Sequence, residues 1–122
     1  MHLRKQLRMT EKAIHDCTNG EVVFYRPPWG HFNLFTRMVS KKYHIIMWSG
    51  IFGDWKVERS KNTLLHQLRT TTDAGSILLL HDNGETLGAD SEAPHYMIES
   101  LEIFIKESID KGIKFVTLKD VI

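Results

Sequence analysis

The sequence predicts an α/β fold of parallel βα units, and three observations predict it. Helical periods of 3.6 alternate with short apolar runs along the whole chain. The third run, Ile77-Leu78-Leu79-Leu80, is apolar on both faces, as a strand covered on both sides by helices would be. No internal repeat and no low-complexity linker interrupts the alternation, so consecutive elements are expected to pack beside one another. Periodicity alone fits half of a barrel and a small open sheet equally well.

The elements follow in order. Leu3, Leu7, Ile14 and Cys17 recur at helical spacing, and Asn19-Gly20 is a stop signal. No Ser, Thr, Asp or Asn precedes Leu3 as a cap, which suggests a chain that starts inside an element. Val22-Val23-Phe24-Tyr25 reads as a strand, ended by Pro27 and Pro28, neither of which can donate to a ladder. Asn33 is placed to cap a second helix, with Leu34, Phe35, Met38 and Val39 on one face and Lys41-Lys42 in its last turn. Ile45-Ile46-Met47-Trp48 is the second expected strand. A third helix is expected to start at Ser60 or Asn62, bury Leu64, Leu65 and Leu68, and stop at Gly75. After the Ile77–Leu80 strand, Asp82-Asn83-Gly84 is a turn. Pro94 suits the first turn of a long fourth helix, with a stripe of Met97, Ile98, Leu101, Phe104, Ile105 and Ile109 and an end at Gly112. Residues 113–118 read as a fourth strand.

Composition bounds what such a chain does. A length of 122 residues suits one small domain with one core. A net charge of +1 creates no strong field for nucleic acid or acidic membranes, so neither is an expected partner. The apolar runs are too short for a membrane span, and no apolar stretch follows the basic start as a signal peptide requires. Cys17 stands alone, so no disulfide forms within the chain.

Parallel α/β folds gather their ligand sites beyond the C-terminal ends of the strands. The first expected strand is followed by Arg26-Pro27-Pro28-Trp29-Gly30-His31, the second by Ser49 and then Asp54-Trp55, and the third by His81-Asp82. One rim would therefore collect a guanidinium, a carboxylate beside an indole, and an imidazole.

These segments carry a resemblance. Arg26-Pro27-Pro28-Trp29-Gly30 resembles the Arg-x-Pro-Tyr-Gly motif of polysaccharide deacetylases (the NodB homology domain, carbohydrate esterase family four). Trp48-Ser49 with Asp54-Trp55 is similar to the family's next motif, and Gly75 to Asp82 resembles its Leu-x-His motif and lead-in. The closing Lys111 to Leu118 is similar to the family's final strand. The resemblance covers nearly the whole chain and identifies residues 1–122 as the C-terminal part of such a domain. It implies a deformed (β/α) barrel, of which this is one portion, acting on the N-acetyl groups of chitin- or peptidoglycan-like sugars. Secretion or cell-wall association is likewise what the family implies.

By that resemblance His81 is the general acid, since imidazole exchanges its proton near neutral pH. Asp54 holds His81 protonated and correctly turned, and Arg26 orients the catalytic base. Trp29, Trp55 and Leu79 wall the pocket for the acetyl methyl or stack on a sugar face. Each residue also has a plainer reading: a backbone-satisfied strand-end histidine, a turn aspartate after Gly53, a surface arginine, and apolar packing.

The departures are as informative. The family's Thr-Phe-Asp-Asp and His-x-x-x-His motifs, which supply the base and the ligands of a divalent metal, usually zinc, are absent, and no two of the seven histidines stand four apart. Trp29 occupies the position where the family usually has tyrosine. The expectation is an acid half without its metal half: no metal held by this chain alone, and no activity in isolation. The alternatives are a non-catalytic sugar-binding remnant and a homodimer that covers exposed apolar strand edges.

Overall fold

The computed structural model describes residues 2–122, which form two units, 2–47 and 48–122. In the first, α1 (His2–Thr18) is followed by β1 (Phe24–Tyr25), α2 (Leu34–Val39) and β2 (His44–Ile45). Asn33 caps α2 as expected: its side-chain oxygen accepts the Thr36 backbone N–H at 2.8 Å. Helix α2 ends at Val39, so Lys41-Lys42 lie just beyond its last turn rather than in it. β1 and β2 pair in parallel, Phe24 opposite His44 and Tyr25 opposite Ile45. Tyr43 and Ile46 are buried, and the Ser40 hydroxyl, also buried, is satisfied by the Thr36 carbonyl at 2.7 Å.

The second unit contains β3 (Gly50–Ile51), α3 (Val57–Asn62), α4 (Leu64–Thr71), β4 (Leu78–Leu79) and α5 (Ala93–Asp110). β3 and β4 pair in parallel, Gly50 opposite Leu78 and Ile51 opposite Leu79. Both strand pairs are thus parallel, the arrangement of an α/β chain and compatible with part of an α/β barrel. The core joins Phe52 to Leu64 and Leu68 of α4 and Met97 and Phe104 of α5, with Leu65, Leu78, Leu80 and Leu101 packed against it. Arg69 makes a bidentate ion pair with Glu107 at 2.8 and 2.5 Å, tying α4 to α5 outside that core. Helix α5 closes as its sequence suggests: Ile113 N–H reaches back to the Ser108 carbonyl and Gly112 N–H to that of Ile109, both at 2.9 Å.

Four expectations change. Of the second expected strand, residues 45–48, only Ile45 lies in a strand, β2, and β3 begins beyond it at Gly50. The third helix starts earlier, at Val57, and breaks at Thr63, whose φ of −126° leaves the helical region. The third strand is half-buried at every position of Ile77–Leu80, because among the described residues β4 has a neighbour on one side only. Residues 113–117 form no ladder: they run alongside α5, Phe115 against Phe104 with ring centroids 6.2 Å apart, and Phe115 and Val116 remain about half exposed. A strand needs a pairing partner as well as a suitable sequence, and among the described residues none pairs with 113–117.

In α5 the buried line is Ala93, Met97, Phe104 and Ser108, while Ile98 and Ile109 face outward. Leu68 is fully buried at the α4–α5 contact. Leu68→Ala should therefore cost about 2–5 kcal/mol, read as a lower midpoint in urea at unchanged slope.

Candidate active site

β3 leads into Phe52, whose ring is anchored in the core, and then Gly53, whose φ of +72° is a conformation that L side chains rarely adopt. That turn drives Asp54 inward, to complete burial. The buried Ser60 hydroxyl donates to the Asp54 carbonyl oxygen at 2.6 Å. Ser60 is held in turn through its own carbonyl, which accepts from the Ser100 hydroxyl at 3.1 Å.

A buried carboxylate needs donors. Asp54 finds both on one residue: its Oδ2 accepts the His81 backbone N–H at 2.5 Å and its Oδ1 meets the His81 ring Nδ1 at 3.0 Å. A carboxylate accepts, so Nδ1 donates, and the ring's other nitrogen, Nε2, is the one available to a ligand. The His81 side chain is 36% exposed and that of Asp54 is 0%, so the imidazole meets solvent while its orienting group does not. The Trp55 and His81 rings form a T-shaped pair, with centroids 5.0 Å apart and planes at 80°. Leu78 and Leu80 pack against the core. By strand alternation Leu79 and His81 therefore share the other side. The structure brings Asp54, Trp55 and His81 together beyond the ends of two adjacent parallel strands.

Arg26 and Trp29 belong to the first unit. The Arg26 guanidinium donates from Nε to the Ile46 carbonyl and from a terminal nitrogen to that of Met47, each at 3.1 Å, bracing the chain just past β2. Trp29 is 78% exposed, so it is not a core residue. It sits at φ 58° in a tight turn that Pro27 and Pro28 start and Gly30 continues. A bulky residue in that region is uncommon and strained.

Two residues that the sequence reading passed over support the site. Ser60 was read only as a helix start. Asp90 was not singled out, although the structure has it bonded to the segment after Asp54: its Oδ2 accepts the Val57 N–H at 3.0 Å, and its Oδ1 pairs with Lys56 at 3.0 Å. One sequence signal was available, since Lys56 precedes α3 and lysine has no acceptor with which to cap a helix. Among the described residues no three His, Cys, Asp or Glu side chains gather closely enough to hold a metal ion, so these residues do not themselves fit the metal that the resemblance implies. No described helix is long and apolar enough to cross a membrane.

Fold and site together define an α/β chain with a solvent-facing imidazole, oriented by a buried carboxylate and flanked by an indole. Among known proteins, the chain is 30% identical over 129 residues to an uncharacterized 30.6 kDa protein of Geobacillus stearothermophilus, covering 98% of this chain and 43% of that one. It is also 30% identical over 117 residues to the peptidoglycan-N-acetylglucosamine deacetylase PgdA of Listeria monocytogenes, covering 94% of this chain and 22% of that enzyme. The chain thus spans less than half the length of the curated relatives it matches. No protein-family model matches it. The similarity is to a deacetylase, at low identity.

The Val57 N–H and then Lys56 hold the Asp90 carboxyl below its ordinary value of 3.8. A depressed folded-state value stabilises the fold above the unfolded value, and the contribution is lost as pH falls through the folded one. The stability gap between the native chain and Asp90→Asn should accordingly be larger at pH 6 than at pH 3 in parallel urea titrations.

Proposed function

We propose that this chain is the acid side of a polysaccharide N-deacetylase, acting in the whole protein on N-acetylated sugars of the peptidoglycan or chitin type. The observation that carries this reading is the Asp54–His81 pair, an imidazole held by a buried carboxylate and open to solvent, beside Trp55. The similarity to a peptidoglycan deacetylase over 94% of the chain supports it.

Amide hydrolysis ends with a proton delivered to the departing amine nitrogen. In this reading His81 Nε2 donates that proton, and Asp54 keeps the ring turned for it and balances its charge. Trp55 and Leu79 form the wall for the acetyl methyl or the sugar face, and Trp29, exposed in the first unit, is a further candidate for stacking on a sugar. Arg26 orients the base, which comes from elsewhere in the protein. The divalent metal implied by the resemblance, with zinc expected, would activate the attacking water. Its ligands also come from outside this chain.

The test is acetate release from N-acetylglucosamine oligomers with added zinc or cobalt and a chelator control. It compares the chain with a fusion that places a family member's Asp-Asp and His-x-x-x-His segments ahead of it. The chain alone should release none. The fusion should show chelator-sensitive release that falls by roughly 10²–10⁴-fold in His81→Ala. A folded fusion without release, or one indifferent to that substitution, contradicts the reading.

A further inference from the structure

We infer that Asp90 is a positioning residue that sets Trp55 against His81 and so fixes one wall of the acid site. The role assigned to that wall rests on the deacetylase reading; the positioning itself does not.

Residues 54–56 run between β3 and α3 with no ladder partner, so their polar groups, and the Val57 N–H that opens α3, must be held individually. Ser60 holds the Asp54 carbonyl. Lys56 N–H donates to the Gly53 carbonyl at 3.1 Å, and the Lys56 carbonyl accepts the Ser60 N–H at 2.9 Å. Three further contacts come from Asp90. Its backbone N–H donates to the Trp55 carbonyl at 2.9 Å. Its Oδ2 accepts the Val57 N–H, and its Oδ1 takes the Lys56 ammonium, each at 3.0 Å. The Val57 N–H, first in α3, has no acceptor within the helix. A carboxylate from a distant segment supplies that acceptor, and so fixes the two residues that follow Trp55.

Asp90 lies in the segment that leaves His81 and leads to α5, where its carbonyl accepts the Ala93 N–H at 3.0 Å. Gly84 permits that segment to fold back. A Cβ at Gly84 would lie 2.6 Å from the Ser91 backbone and 2.7 Å from the Asp90 carbonyl oxygen, where no side chain fits. The chain downstream of His81 thus returns to grip the chain downstream of Asp54. His81 and Trp55 are set by contacts at the ring and behind it.

The experiment compares Asp90→Ala, Asp90→Asn and Gly84→Ala with Trp55→Phe by NMR of the His81 ring protons, which an indole 5.0 Å away displaces. Asparagine keeps an acceptor for Val57 and loses the ion pair, whereas alanine loses both. Asp90→Ala should move the His81 resonances toward those of Trp55→Phe, and Asp90→Asn should leave them near the native positions. Gly84→Ala pushes the Asp90 backbone away without altering its carboxylate, and should move them in the same direction as Asp90→Ala. It also serves as the second variant if Asp90→Ala does not fold. In a fusion active for acetate release, Asp90→Ala should raise KM by roughly tenfold with kcat nearly unchanged, the signature of a disturbed binding wall. Native His81 resonances in a folded Asp90→Ala or Gly84→Ala overturn the inference, as does an Asn variant displaced as far as the Ala variant. Displaced resonances in a fusion that releases no acetate uphold the positioning while counting against the deacetylase reading.

Discussion

The bond pair from His81 to the buried carboxylate of Asp54 is the constraint around which the second unit is arranged. A carboxylate with no solvent exposure is costly unless both oxygens are satisfied, and here one residue satisfies both, through its main chain and its ring. That geometry requires the ends of β3 and β4 to lie side by side. The parallel register does this by setting Ile51 opposite Leu79, two residues before His81. It also requires a sharp inward turn after Phe52, which Gly53 supplies, and a fixed backbone beyond it, which Ser60 and Asp90 supply. Apolar burial provides the rigid support: Phe52, Leu64, Leu68, Met97 and Phe104 form one cluster beneath the site.

Stability and chemistry draw on different atoms of the same residues. The main chain of His81 satisfies Asp54, while its ring presents Nε2 to solvent. The carbonyl of Asp54 belongs to the Ser60–Ser100 chain that reaches α5, while its side chain turns the imidazole. A proton donor placed in this way loses little orientation when it reacts, which is what positioned acid catalysis demands.

Much of the arrangement was legible in the sequence where one local signal decides one local structure. Asn33 before an apolar stripe read as a cap, and Gly112 after a long amphipathic run read as a helix end. Asp54-Trp55 and His81 were readable as neighbours because each follows an apolar run, and parallel strands bring such ends together. What escaped was decided by distant partners. Residues 113–118 have strand composition, yet a strand also depends on a free neighbouring edge. The break at Thr63 is hidden inside a continuous helical pattern. Asp90 lies in a polar loop between His81 and Pro94, and nothing local distinguishes it from a solvated turn residue. Its importance comes from Lys56 and Val57, more than thirty positions earlier, which its carboxylate holds.

The central claim is that Asp54 fixes the His81 ring with Nδ1 as donor and Nε2 presented outward. Nitrogen-15 NMR of the histidine ring at neutral pH tests it most directly. The expected spectrum shows a proton on His81 Nδ1, protected from exchange and lost in Asp54→Ala. A neutral ring with its proton on Nε2, or a spectrum unchanged by removing Asp54, would contradict the account.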